Sequence, residues 1–266
     1  MPLRLLPQQR AQLHRFGKQI RHQLGHRSGQ LLELLLPSPC LLCGAIKSAA
    51  PLSPLICHPC YTSLPRLDQH PHLCQCCSLP LLSAAPLCGQ CLEQPPAFSR
   101  SQIPFYYAHP LDALIHRFKY QHQLSNGKLL ATLMAEHLAH LAPDQMPDLL
   151  IPVPIHWRRR WQRGFNQTEL LAHHLGNSFN VEVLNACQSP LPTHSQQGLK
   201  RRERLQNLRR AFRVKPSAKA RIQGAHIALV DDVVTTTATA RCLSELLRKQ
   251  GAQRVDIWAL ARTPEH

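Results

Sequence analysis

The chain has 266 residues, 44% of them hydrophobic, which is enough for one large domain or two modest domains with a buried core. Lysine and arginine number 31 against 15 aspartates and glutamates, a net charge of +16, and this favours polyanionic partners such as nucleic acid or phosphorylated ligands. The sequence has neither the apolar run of roughly 18 residues that a spanning helix needs nor a secretory signal, so we expect a cytoplasmic protein without a transmembrane segment.

Composition divides the chain into three predicted parts. Residues 1–36 form a basic N-terminal extension, which fits either a basic amphipathic helix or a loosely ordered tail. Residues 37–96 hold nine of the eleven cysteines, are rich in proline and lack helical periodicity. This composition predicts knuckles and short hairpins held by something other than an apolar core. Residues 97–266 form the third part.

The cysteines of the second part are arranged as four Cys-x2-Cys pairs. Paired turns of this kind are typical of zinc sites, and four thiolates leave no open position for catalysis, so we predict two structural Zn²⁺ sites. Their ligands are Cys40, Cys43, Cys57, Cys60, Cys74, Cys77, Cys88 and Cys91.

Several alternatives to this zinc assignment remain open. Sequential pairing of the turns is our expectation, but a cross-braced pairing of the first with the third satisfies the same chemistry. Cys76 could replace its neighbour Cys77, and His58, His70 and His72 lie close enough in sequence to compete as ligands. A disulfide framework would need an oxidising compartment, and a thiol-redox protein would need only one active dithiol.

The third part alternates between helical and strand patterns. Helices are predicted over residues 111–120, 129–141, 167–175 and 239–250, and strands over residues 149–154, 181–184, 227–230 and 255–260. Such alternation predicts an α/β fold with a parallel sheet flanked by helices.

A candidate ligand site follows the strand at residues 227–230. Asp231 and Asp232 come next, and a hydroxyl-rich turn at residues 235–239 then opens a helix. Ligands of parallel sheets bind beyond the carboxyl ends of the strands, and a helix N-terminus attracts phosphate through its unpaired N–H groups. Adjacent carboxylates accept hydrogen bonds from a vicinal diol, so the pattern indicates a ribose 5-phosphate site; an ordinary capped helix is the alternative.

This segment resembles the PRPP-binding motif of type I phosphoribosyltransferases. The resemblance implies that Asp231 and Asp232 bind the ribose hydroxyls at the catalytic centre. It also implies a loop for the 5-phosphate, which consists of Thr235, Thr236, Thr237, Ala238 and Thr239. The family pattern has glycine where this sequence has Thr237, and a side chain there can crowd the ligand, which leaves weakened affinity or lost turnover open.

Three further segments resemble the ComF family, which includes the GntX-type proteins. They are residues 151–154 with 163–167, residues 196–212 in the pattern Q-x2-L-x4-R-x2-N-x3-A-F, and residues 258–263. The resemblance extends from about Leu31 to Thr263. It implies a double zinc ribbon joined to a type I phosphoribosyltransferase-like domain, with a role in natural competence or DNA use on the cytoplasmic side.

Mg²⁺ is expected with PRPP, because pyrophosphate and ribose oxygens chelate it. The ComF resemblance also implies Arg163 facing the pyrophosphate, with Asn166 and Gln167 organising that loop or capping the next helix. Arg204 is our first choice among the arginines of residues 200–221 for a mobile loop that closes over the site. The same basic stretch, with residues 158–160, could instead bind single-stranded DNA, where Trp161 and Phe165 would stack on bases or pack in the interior. The chain is therefore either a phosphoribosyltransferase-like enzyme or a DNA-binding module with a relic PRPP pocket, with DNA-import proteins as further candidate partners.

Overall fold

The computed structural model describes residues 39–46, 55–190 and 211–264. The chain forms two compact units, residues 1–61 and residues 62–266. In the first unit, the described residues form the turn at Cys40 to Cys43 and most of the short helix α1, His58–Thr62. The second unit contains the other two Cys-x2-Cys turns together with the whole sheet. The predicted domain boundaries after residues 36 and 96 stay predictions.

All four helices and all four strands predicted between residues 111 and 260 are present; the helix at residues 111–120 has the predicted ends, and each of the other elements is shifted at one or both ends. The further helices are α2 Gly89–Glu93, α3 Leu111–Tyr120, α4 Leu124–Leu138, α5 Trp157–Arg163, α6 Gln167–Phe179, α7 Lys219–Ile222 and α8 Ala238–Lys249. The strands are β1 Ser101–Gln102, β2 Phe105–Tyr106, β3 Leu149–Pro152, β4 Glu182–Val183, β5 Cys187–Gln188, β6 Arg213–Val214, β7 His226–Val234 and β8 Arg254–Arg262. Among the described helices, none is long and apolar enough to cross a membrane.

Helix α4 begins five residues before its predicted start. Asn126 and Gly127 are poor helix formers, so helix propensities do not predict this first turn. A Cβ atom at Gly127 would lie 2.4 Å from the Phe118 ring of α3. Glycine is therefore required here because the two helices approach each other closely.

The main sheet has six strands, and all of its pairings are parallel. The order is β1, β8, β7, β3, β4, and β2 also pairs with β8. The two central strands β7 and β8 have nine residues each, and residues 227–230 and 255–262 are buried in unbroken runs, as expected for a sheet covered on both faces. The predicted parallel sheet flanked by helices is confirmed.

The two faces of the sheet are covered by different elements. On one face, Ile227, Leu229 and Ile257 share a core with Leu243 and Leu247 of α8. The cysteines of the second cluster belong to this same core. On the other face, the Phe179 ring of α6 packs edge-on against Trp258 of β8 at 6.1 Å. The second cysteine cluster therefore lies against the sheet on the α8 side.

Candidate functional site

Asp231 and Asp232 lie where β7 extends beyond its neighbour β3. The last β3 residue, Pro152, pairs with Val230, whereas β7 continues beside β8 as far as Val234. Both acids therefore lie past the carboxyl end of β3, where ligands of parallel sheets bind. Asp232 is 6% exposed, and its buried Oδ2 accepts no aligned hydrogen bond among the described residues.

Lys119, near the C-terminus of α3, is the counterion of this acid pair. Its Nζ lies 2.8 Å from Oδ2 of Asp232, and both side chains are largely buried. Burial, and next the Asp232 carboxylate, raise the pKa of Asp231 to about 8, while Lys119 acts in the opposite direction. Without a ligand, the pair therefore holds one proton near neutral pH.

The hydroxyl-rich turn after β7 leads directly into the N-terminus of α8. Thr235 and Thr236 are exposed, whereas Thr237 is buried and has a positive φ of 58°. The side chain of Thr237 does not cap α8, and the first N–H groups of a helix have no acceptor within it. The turn thus presents hydroxyls and backbone donors on the same side of the sheet edge as the acid pair, an arrangement suited to binding an anion.

A basic cavity of about 320 Å³ adjoins Lys119, a volume within the range of small-molecule sites. Its lining residues are Lys119, Tyr120, His122, Arg159, Gln162 and Arg163. Arg163 donates to the Tyr120 hydroxyl at 3.2 Å and stacks over the same ring. Three cationic side chains therefore line this cavity. One of them, Lys119, also forms the ion pair with Asp232.

The loop after β3 is organised by the first residues of α6. The Val153 carbonyl accepts hydrogen bonds from Thr168 Oγ1 at 2.6 Å and Asn166 Nδ2 at 3.3 Å. Asn166 also caps α6 by accepting from the Thr168 amide. His156 caps α5 through Nδ1, and its buried Nε2 has no hydrogen-bond partner among the described residues. Asn166 thus organises the loop, as expected, and His156 is an additional candidate site residue.

The eight paired cysteines form two clusters in sequential order. Within each set, Cys40, Cys43, Cys57 and Cys60 or Cys74, Cys77, Cys88 and Cys91, the four sulfurs all lie within 4.8 Å of one another. Cys43 and Cys57 sulfurs are 3.7 Å apart, as are those of Cys77 and Cys88. Tetrahedral zinc with Zn–S bonds of about 2.3 Å separates its sulfurs by about 3.8 Å, so both clusters fit zinc.

The electrostatics of the second cluster also suit a cation. Burial opposes ionisation of Cys74, but backbone N–H groups of Cys77, Cys88 and Cys76 lower its pKa to about 7. Burial, followed by the charge of Cys74, raises the pKa of Cys77 well above its ordinary value. The Cys74 thiolate thus forms readily, whereas Cys77 needs a metal ion to lose its proton.

Some of the other candidates fall outside these clusters. Cys76 lies beside the second cluster and donates to the Phe98 carbonyl at 3.7 Å. Phe165 packs on Phe118 at 5.4 Å, whereas Trp161 is 83% exposed. Arg204 lies outside the described residues.

Sequence reasoning missed the partners of the site, Lys119, Arg241 and Arg262. Lys119 lies in a helix that was predicted only from its amphipathic pattern. No motif in the sequence distinguishes Arg241 from other arginines on helices. Arg262 lies in the segment at residues 258–263, which resembles the ComF family. The resemblance assigned no role to this arginine.

Comparisons with known proteins agree with this arrangement. The family model "Double zinc ribbon domain" matches residues 31–92. Competence protein F of Haemophilus influenzae is 37% identical over 193 residues, which cover 71% of this chain and 84% of that protein. The DNA utilization protein YhgH of Salmonella typhimurium is 33% identical over 237 residues, 86% of this chain and 99% of that protein. The chain belongs to the ComF family.

Among solved structures, this ComF chain is similar to a hypoxanthine phosphoribosyltransferase from Staphylococcus aureus. The two share 15% identity and a TM-score of 0.32, over 51% of the ComF chain and 64% of the other. In the ComF chain, the double zinc ribbon precedes the sheet, and its second four-cysteine cluster packs on the sheet unit.

Proposed function

We propose that this ComF protein binds Mg-PRPP, or a related ribose phosphate, at the carboxyl end of β7 and acts in DNA uptake or utilisation on the cytoplasmic side. The observation that carries the proposal is the meeting of Asp231 and Asp232 with the amide-lined turn at residues 235–239. Carboxylates accept hydrogen bonds from ribose hydroxyls, while the helix N-terminus binds the 5-phosphate. The names of the two relatives support the biological role, and eleven free cysteines are compatible with a reducing compartment.

The basic cavity is the proposed place of the pyrophosphate. Arg159, Arg163 and Lys119 line it and can neutralise phosphate oxygens. Mg²⁺ bound with PRPP would neutralise phosphate charge, and Asp231 and Asp232 are the carboxylates that would hold the hydrated ion, with Asp232 Oδ2 paired with Lys119 at 2.8 Å. If the phosphoribosyl group is transferred, the two carboxylates lie where positive charge develops on the ribose as pyrophosphate leaves.

Titration calorimetry with Mg-PRPP tests this proposal. We expect the wild type to bind, and Asp232→Asn to bind about 10- to 100-fold more weakly, because a hydrogen bond to a charged group contributes roughly 1.5–3 kcal/mol. Asp148→Asn is the matched control, since Asp148 accepts from the His226 amide at the opposite end of β7. No binding by the wild type, or equal affinity in Asp232→Asn, would contradict the PRPP site.

A second candidate function, binding of single-stranded DNA, is favoured by the surface of α5. Trp157 and Trp161 are 60% and 83% exposed, and the Arg158 guanidinium stacks over the Trp157 ring at 5.4 Å. Exposed aromatic rings among arginines are typical of surfaces that stack bases and neutralise phosphates. In this reading the DNA contact at α5 is the principal activity and the PRPP pocket is a relic.

Quenching of tryptophan fluorescence by oligo-dT measures the DNA contact, because Trp258 is buried and the other two tryptophans are on α5. We expect Trp161→Ala to weaken binding about fivefold or more, since stacking contributes roughly 1–3 kcal/mol per base. Leu82→Ala is the control, because Leu82 is a fully exposed apolar residue that does not belong to α5. Affinity that does not change between low and high salt, or that is the same in Trp161→Ala, would count against this interface.

A further inference from the structure

Arg241 connects the second cysteine cluster to the turn at residues 235–239. This side chain comes from the first turns of α8 and is 9% exposed. Its Nε donates to Thr237 Oγ1 at 3.1 Å, Nη1 to the Gln94 carbonyl at 2.6 Å, and Nη2 to the Cys91 sulfur at 3.7 Å. One guanidinium therefore joins a residue of the turn, a metal-ligand candidate and the residue that follows α2.

Arg262 makes a second connection to the same cluster. It ends β8, is 1% exposed, and donates through Nε to the Cys77 carbonyl at 3.3 Å. Its Nη1 donates to the Val234 carbonyl at 3.2 Å and also to the Thr235 carbonyl. Arg241 thus joins the turn that ends at Cys91 to Thr237, and Arg262 joins the turn that ends at Cys77 to Thr235. Both threonines belong to the turn at residues 235–239, which we call the phosphate turn.

The conformation of Thr237 explains how the contact with Arg241 can position the turn. A β-branched residue with a φ of 58° is an outlier, and glycine would adopt this conformation without strain. The Thr237 side chain is nevertheless buried at 3% exposure, while the two threonines before it face solvent. Arg241 binds the Thr237 hydroxyl on the buried side of the turn. The exposed side of the turn therefore stays accessible to a ligand.

Metal binding strengthens the contact between Arg241 and Cys91. A coordinated cysteine is a thiolate, and four thiolates around one Zn²⁺ leave the cluster with a net negative charge of about two. A hydrogen bond with an ionised partner is roughly twice as strong as one between neutral groups, and in a buried site a guanidinium is attracted more strongly to a charged acceptor than to a neutral one. The guanidinium that orients Thr237 is therefore held more firmly when the cluster is loaded.

We propose that Arg241 is a positioning residue that couples metal at the second cluster to the phosphate turn, with Arg262 as the second connection. This coupling rests on the proposed function, because it makes affinity for a ribose 5-phosphate depend on a metal site that does not touch the ligand. Such coupling is reciprocal, so bound ligand must also hold the metal more tightly.

Equilibrium transfer of zinc from the full-length protein to a chromogenic chelator tests this reciprocity, because reciprocity holds for binding free energies. With saturating Mg-PRPP, we expect the affinity for one of the two zinc ions per chain to rise at least about fivefold, within the usual range of coupling. Cys43→Ser, which removes a ligand of the first cluster, assigns the more tightly held ion to the second cluster. In Arg241→Gln the effect of PRPP on zinc retention should fall to the part that comes from unfolding of the metal-free unit, and PRPP affinity should fall about 5- to 10-fold; Arg241→Lys, which keeps the charge but not the fork, should be intermediate.

Arg248→Gln is the matched control for the loss of an arginine from α8. Its guanidinium donates to the Ala252 and Gln253 carbonyls, away from the turn and the cluster, so both zinc retention and PRPP affinity should stay as in the wild type. A wild type that binds Mg-PRPP without tighter zinc retention overturns the coupling, and so does full coupling in Arg241→Gln.

Hydrogen exchange separates failure of the coupling from failure of the PRPP site. If the wild type does not bind Mg-PRPP, the proposed function fails, but the coupling still predicts faster amide exchange at residues 235–239 in Cys91→Ser and Arg241→Gln than in Cys43→Ser. Equal exchange in Arg241→Gln and the wild type overturns the coupling, whether or not Cys91→Ser folds.

Discussion

Cys88→Ser should destabilise the sheet unit far more than Cys43→Ser. All four cysteines of the second cluster are buried, and they share one core with α8 and the sheet. A structural zinc ion contributes roughly 10–16 kcal/mol of binding free energy, which is comparable to the whole stability of a typical domain, about 5–15 kcal/mol. Loss of this metal should therefore unfold much of residues 62–266, as measured by thermal melting with zinc content per chain.

Two variants serve as controls for this loss. Cys43 is exposed and belongs to the separate unit of residues 1–61, so Cys43→Ser should lower zinc content by one per chain without changing the main melting transition. Cys76→Ser removes a buried thiol next to the cluster that lies outside the four-sulfur set, and should cost about 1 kcal/mol. An unchanged melting temperature in Cys88→Ser would show that the second cluster is not what supports the sheet.

The cysteine clusters could be predicted from sequence because a Cys-x2-Cys turn is a local structure. Its spacing alone brings two sulfurs together, and only the choice of partner turn required the fold. The acid pair was also predictable, since an apolar run that stops just before Asp231 marks the ligand-binding edge of the sheet, although β7 itself continues to Val234.

The partners of the acid pair could not be predicted, because they come from distant parts of the chain. Lys119 lies 113 positions before Asp232, and Arg241 lies 150 positions after Cys91. On a sequence, a lysine near the end of an amphipathic helix is typical of a solvated face or of a helix C-terminus. The orientation of Thr237 depends on a positive φ, which sequence alone does not give for a residue other than glycine. Arg241 acts through that orientation, so its role becomes visible only in three dimensions.

Lys119→Met should weaken Mg-PRPP binding at pH 7 by about tenfold and move its pH dependence to higher pH. The pKa of Asp231 is raised from 3.8 to about 8 by burial and then by Asp232, and Lys119 is a charge that lowers it. An ionised carboxylate is needed to accept two ribose hydrogen bonds, so the affinity of the wild type should increase as the pH rises through about 8, with release of a proton. Without Lys119, the pKa of Asp231 rises further, and a rise of one unit corresponds to about tenfold in affinity.

The sign of the stability change is opposite to that of binding. In the unfolded chain Asp231 ionises near pH 4, whereas in the folded protein it keeps its proton up to about pH 8, so folding takes up a proton in this window and stability falls as the pH rises. A ligand that requires ionised Asp231 therefore binds most tightly at the higher pH values, at which the ligand-free protein is least stable.

Calorimetry from pH 6.5 to 9 in buffers of different ionisation heat measures both affinity and proton release, with Lys128→Met, an exposed lysine of α4, as the control. If the curves of Lys119→Met and the wild type coincide, Lys119 does not govern the charge of the acid pair, and the proposed link between the basic cavity and the ribose site fails at this residue.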